Sequence, residues 1–319
     1  MREVRDVLSR EEIAELTTAS DVRGLVSVGV SWSMIAGALA LVAWRPHVVT
    51  VLVALVVLGG RQLGLAVLMH ECSHRALFRS RWMNDHLGRW LCAAPVWQRL
   101  EDYRAHHMKH HNFTGTERDP DLGLVTPFPA SAGSVTRKVL RDLTGLSGLK
   151  RVVALLAMDL GFITYTASTT AERTDPAEWP LVRRLRSAAC HTGPMLLANG
   201  VIFAILWGLG HPLLFVLWVG AWLTTFSLFV RIRAMAEHAC TEVTPDMFAN
   251  TRTVRAGWLA RLCLCPHDVS FHLEHHLLMT VPHYKLRRMH RMLSDRGALD
   301  DCHVVEGYAD VLRLVASGA

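Results

Sequence analysis

Charged side chains are scarce in this chain. They make up 19% of its 319 residues, against about a quarter in a water-soluble protein. With 51% hydrophobic residues and a mean hydropathy of +0.23, an extended, solvated, disordered chain is excluded. The seven cysteines contain no Cys-x-x-Cys pair, which argues against a disulfide scaffold or a zinc ribbon and fits a reducing, cytosol-facing setting. The start lacks the basic stretch, short apolar core and Ala-x-Ala site of a secretory leader, so no cleaved signal peptide is expected. Acidic residues number 28 against 34 basic ones, for a formal net charge of +6. A basic balance suits either nucleic acid or an anionic membrane surface. The hydropathy selects the membrane, and no nucleic-acid partner is expected.

What the chain does have is long uncharged runs. Residues 25–44 hold no charge, enough to cross a hydrocarbon core of about 30 Å. Arg45-Pro46-His47 breaks the run, and 48–69 returns, interrupted only by Arg61-Gln62. Residues 187–207 and 213–230 repeat the pattern around a turn at 208–212. The expected fold is therefore an all-α integral membrane protein with four transmembrane helices in two hairpins. Five stretches follow: a polar, amphipathic N-terminal helix (1–24) in which Ser9-Arg10-Glu11-Glu12 reads as a capping box, a first hairpin (25–69), a long polar stretch (70–186), a second hairpin (187–230) and a polar end (231–319). The stretches 70–186 and 231–319 carry 17 and 11 of the 34 Lys and Arg residues, and residues 1–24 carry 4. The positive-inside rule places them in the cytoplasm, as a helical cap on the cell membrane with both termini on that side. Residues 152–170 are apolar enough to suggest a fifth crossing but contain Asp159. They are expected to form an interfacial helix instead.

Arg61 lies nine residues before His70, about 13 Å along a helix. A charge at that depth is costly. It either pairs, with Asp159 as the candidate, or snorkels to the cytosolic face.

Eighteen histidines are unusual for this length, and half of them fall in three clusters. The clusters are His70-Glu-Cys-Ser-His74, His106-His107-Met-Lys-His110-His111 and His272-Leu-Glu-His275-His276. Spacings of three and four residues place side chains on one helix face, so each cluster can aim two or three imidazoles at one point. Neutral imidazole is a ligand for iron, zinc, copper and nickel. Chance assembly of three such clusters, the first at the end of a membrane span, is a weak competing explanation.

These clusters resemble the three histidine boxes, HxxxH, HxxHH and HxxHH, of the membrane fatty acid desaturase/hydroxylase superfamily. The matching residues are His70 and His74, then His107, His110 and His111, then His272, His275 and His276. The lone histidine that the family places after its last crossing resembles His238 in "AEHAC". The flanks "YRAHHMKHHNFTGTERDPDL" and "NTRT" are similar to bacterial members, over roughly residues 10–295. His106 offers an alternative register for the second box. The resemblance implies nine metal ligands for two non-haem irons, O₂ as oxidant and a long-chain acyl lipid as substrate. No His-Pro-Gly-Gly haem motif and no iron–sulfur module are present, so electrons are expected from an external ferredoxin or cytochrome b5 type donor with its reductase. Glu71, Asp119, Asp121, Glu237 and Glu274 adjoin the boxes and are candidates to orient ligating imidazoles.

Three other chemistries compete. His70-Glu71-Cys72-Ser73-His74 is also HExxH, the zinc protease motif, with Glu71 as general base, but a zinc site needs three protein ligands and leaves two clusters unexplained. A metal transporter would place its site near the midplane on broken helices. Within the resembling superfamily, a hydroxylase or ketolase of fatty acid, alkane, sterol or carotenoid shares the same metal chemistry.

Overall fold

The computed structural model describes residues 3–168 and 170–318. The outermost residues of the first and last stretches, and Thr169 within 152–170, lie outside them. Helix α1 (Arg10–Thr17) begins with the expected capping box: Ser9 Oγ accepts from the Glu12 amide, and Glu12 accepts from the Ser9 amide. It is followed by α2 (Asp21–Trp44), α3 (Val48–Ser73), α4 (Arg81–Leu87) and α5 (Leu100–Phe113), with a π-helical turn at Gly88–Ala93. Next come α6 (Leu122–Val125), α7 (Ala132–Leu143), α8 (Leu146–Asp159), α9 (Leu181–Gly208), α10 (Leu214–Leu223) and α11 (Thr225–His238). The chain closes with α12 (Met247–Asn250), β1 (Arg252–Val254), α13 (Trp258–Cys263), α14 (His272–Leu277), α15 (His283–Asp295), β2 (His303–Val305) and α16 (Tyr308–Val315). The two short strands pair in parallel, Arg252 opposite His303.

Among the described residues, four segments are long and apolar enough to cross a membrane: α2, α3, α9 and the continuous stretch Leu214–His238 formed by α10 and α11. Their outer faces show why they need lipid. Leu196, Leu197, Val201 and Ile205 on α9, and Val26 and Val30 on α2, are largely exposed, and apolar exposure on this scale is not stable against water. Between these helices sits a core of Leu58, Leu63, Leu65, Trp218 and Phe226.

The stretch at 152–170 resolves differently from its expected boundaries. Helix α8 covers Leu146–Asp159, about 21 Å at 1.5 Å per residue, which is too short for a crossing. It stops because Gly161 takes a left-handed conformation at φ +64°. The Phe162 amide then bonds Ala157 O and the Gly161 amide bonds Met158 O, the paired closure that terminates a helix at glycine.

Arg61 adopts neither expected solution. Its guanidinium is buried and donates to the carbonyls of Leu262 at 2.5 Å and Arg261 at 3.3 Å. Those carbonyls lie near the C-terminal end of α13, where the helix dipole favours a cation. The approach depends on Gly60, where a Cβ would lie 2.6 Å from Leu262 O. Asp159 instead accepts from Trp97 Nε1 at 3.0 Å and Thr192 Oγ1 at 2.7 Å.

Gly148 plays the corresponding part between α8 and α10: a Cβ there would meet Leu223 O at 2.4 Å and Leu223 Cα at 2.6 Å. Because backbone cannot step aside as a side chain can, Gly148→Val is expected to cost about 1–3 kcal/mol, the range of overpacking. Gly133, in α7, faces only the end of Arg137 at 3.6 Å, so Gly133→Ala is expected to be neutral or stabilising. Thermal unfolding in detergent checks both, and equal midpoints for the two variants would contradict the packing.

Candidate metal centre

Four histidine-bearing segments converge. His70 lies in the last turn of α3 and His74 caps it. His107, His110 and His111 belong to α5, His238 ends α11, and His272, His275 and His276 open α14. Their nitrogens form two groups: His70, His74, His107, His111 and His275 in one, and His110, His238, His272 and His276 in the other. Within each group the ligand atoms lie within 4.8 Å of one another. His74 and His238 are half-buried and the other seven are buried.

The partition follows from helix geometry. On α5 the i, i+4 pair His107 and His111 serves the five-histidine group, and His110 turns to the other. On α14 the i, i+4 pair His272 and His276 serves the four-histidine group, and His275 crosses to the first. Residues four apart sit above one another, while the residue between belongs to the neighbouring stripe.

The donor set fits a bound cation. Nε2 of His111 lies 3.1 Å from Nε2 of both His107 and His275. Nε2 of His272 lies 3.0 Å from that of His238 and 3.1 Å from that of His276. A neutral imidazole has one N–H and one lone pair, so a nitrogen that faces two others can satisfy only one of them. Both ring nitrogens of His70 and of His74 are buried without a hydrogen-bond partner among the described residues. Burial holds the ligand imidazoles outside the spans neutral: it pushes His74 down to about 3 and His107, His111, His272, His275 and His276 well below the usual range. His110 differs. Burial lowers it too, but the hydrogen bond it donates to Asp119 and the charges of Asp121, Asp119 and Glu237 outweigh burial and raise it.

The expected orienting carboxylates divide into three kinds. Asp119 Oδ1 takes His110 Nδ1 at 2.8 Å, which leaves Nε2 facing the group. Glu237, paired with Arg233 at 2.5 Å, lies 3.4 Å from His272 Nδ1, and Glu71 lies 3.5 Å from His70 Nδ1. Asp121 lies 3.8 Å from His110 Nδ1 but engages His106 Nε2 at 2.8 Å. His106 is thereby turned onto a carboxylate while His107 joins the cluster. Glu274 departs from expectation: it touches none of the nine ring nitrogens. Its oxygens bind His290 Nδ1 and Thr253 Oγ1, each at 2.5 Å, because its position on α14 points it toward α15 and β1. Sequence reasoning also missed the main-chain carbonyl of Asn250, which accepts from His238 Nδ1 at 3.0 Å. A backbone acceptor twelve residues away leaves no pattern in the sequence.

Known proteins carry the same arrangement of sequence. The family described as Fatty acid desaturase matches residues 32–306. The dihydrorhizobitoxine desaturase of Bradyrhizobium elkanii is 26% identical over 305 residues, which are 90% of this chain and 80% of that protein. An sn-1 oleoyl-lipid 12-desaturase of Picosynechococcus is 25% identical over 92% of this chain and 82% of its own length. Its counterpart in Anabaena variabilis is 24% identical over 73% of this chain, and the match spans 65% of that relative. With four membrane-length helices, two convergent histidine groups that can hold metal and a family match across most of its length, the chain belongs to the fatty acid desaturase family of oxidoreductases.

Proposed function

We infer that this protein is an acyl-lipid desaturase that uses two non-haem irons and O₂ to place a double bond in a long acyl chain. The observation that carries the reading is the pair of convergent, largely buried histidine groups within a family match that covers both. The substrate class follows the oleoyl-lipid relatives. Iron with O₂ supplies the oxidising power that side chains lack for an unactivated CH₂. The chain's own part is to hold nine nitrogens in place and exclude water. Asp119 fixes the tautomer of His110 through its 2.8 Å hydrogen bond. Glu237, held by Arg233, is placed to do the same for His272. Electrons come from a separate carrier. A similar omega-3 desaturase from Synechocystis bears "ferredoxin" in its name, and a protein of that type is the donor we assign. The zinc protease alternative accounts for His70, Glu71 and His74 but leaves six further convergent histidines without a role, since zinc catalysis takes three protein ligands.

The membrane arrangement we assign is two hairpins, α2 with α3 and α9 with α10–α11, beneath a cytoplasmic cap, with both termini on that side of the cell membrane. Parity supports it: the boxes meet at one centre, so an even number of crossings must separate them.

Three results test this reading. Replacing any of His70, His74, His107, His110, His111, His238, His272, His275 or His276 with Ala should abolish turnover and lower bound iron, measured by elemental analysis. The same change at His47, His86, His211 or His303 should do neither, and a fully active His238→Ala would remove the nine-ligand assignment. Reporters placed after residues 120 and 300 should both read cytoplasm, and one at Gly210 the far side; opposite answers at 120 and 300 would refute the topology. Expressed with a ferredoxin and its reductase, the protein should yield fatty acids two hydrogens lighter by mass spectrometry. Products one oxygen heavier, with no lighter species, would assign it to the hydroxylases instead.

A further inference from the structure

We propose that Asn250 is a positioning residue for the four-histidine group, fixing both the tautomer of His238 and its register against the second histidine box. The proposal rests on reading that group as a metal site. The residues Asn250, Thr251, Arg252 and Thr253 are all buried, and each bonds a ligand-bearing segment or its neighbour in the strap. The main-chain carbonyl of Asn250 accepts from His238 Nδ1 at 3.0 Å and from Thr241 Oγ1 at 2.9 Å. A carbonyl only accepts, so His238 Nδ1 must carry the proton and Nε2 must present its lone pair to the group. Nε2 faces His272 at 3.0 Å.

The Asn250 side chain holds that carbonyl in place. Its Nδ2 donates to Thr114 O at 3.1 Å, the residue that caps α5, and to Thr244 O at 2.8 Å. Its Oδ1 accepts from Thr251 Oγ1 at 2.7 Å. Gly115 makes room for this contact: a Cβ there would stand 2.9 Å from Asn250 Nδ2 and 2.2 Å from Thr244 O. One amide therefore couples the end of the helix bearing His110 to the histidine that ends α11.

The next two residues of the strap act in the same sense. The Arg252 guanidinium donates to Ala236 O at 3.1 Å and Ala239 O at 2.7 Å, which caps the last turn of α11 on either side of His238. Thr253 donates to Glu274 on α14. The strap thus bonds α11 and α14 and the end of α5, the three helices that supply the four-histidine group, and among the described residues it makes no hydrogen bond with His70 or His74.

The test is iron content in two conservative variants. Asn250→Asp keeps shape and the Thr251 contact but sets an oxygen against two carbonyls; Thr251→Val removes one hydrogen bond at constant volume. Each protein is loaded with ferrous iron, challenged with a chelator and measured for iron per chain, with melting midpoints recorded before and after loading. Two irons are expected in the parent and about one in Asn250→Asp, with the remaining iron held as tightly as in the parent. The lost iron should be roughly 10–100-fold easier to remove, the usual effect of disturbing a ligand's hydrogen-bond partner. Thr251→Val should fall between, and Thr251→Ser should restore the parent. Two irons retained at parental strength in both variants would overturn the proposal. So would loss of both irons in proportion to unfolded protein. A parent that binds no iron would instead overturn the metal reading beneath it.

Discussion

Nine convergent imidazoles, seven of them buried, form the constraint on which the rest of this structure depends. Nitrogens 3.0–3.1 Å apart repel unless a cation or an N–H proton lies between them, and one proton cannot serve both neighbours of His111 or of His272. A cluster of this kind stays in place only if the surrounding fold is strong enough to hold it. The ends of α5 and α11 are restrained accordingly: Asp119 holds His110, Asn250 holds His238, and Arg252 closes α11. Because metal ligation and folding draw on the same atoms, a bound cation adds to the stability of the folded state.

Polar groups elsewhere follow the same logic of fixed partners. Arg61 meets backbone carbonyls at a helix end, Asp159 meets an indole and a hydroxyl, and Arg231 grips Asp142 with both carboxylate oxygens. In a low-dielectric surround each unpaired group would cost several kcal/mol. Small residues make these contacts possible: Gly60 and Gly148 let one backbone lie against another where any side chain would intervene.

The histidine clusters and the apolar spans were legible in the sequence because both are periodic. A spacing of three and four residues fixes a helix face without reference to the rest of the chain, and a run of apolar residues declares its own length. Partners across the fold were not legible. Arg61 finds Arg261 and Leu262 two hundred residues on, and Asn250 finds Thr114 from 136 residues away. Glu274 sits inside a histidine box yet turns to His290, because one residue's offset along α14 rotates a side chain by about 100°. The end of α8 was misplaced for a local reason: Gly161 stops the helix, while the apolar pattern beyond it runs on.

The crossed contributions of α5 and α14 carry a mechanical consequence. Each of these helices supplies histidines to both groups, two to one and one to the other, so the distance between the two groups is set by single turns of helix rather than by loops. Hydrogen-bonded helical turns are among the stiffest elements of a protein. A twist of either helix would draw one centre's ligands inward while pulling the other's away, and the two centres must therefore be tuned as one object. Evolution cannot adjust the geometry of the first without a compensating change in the second, and an engineer who resets one box inherits the same bond between them.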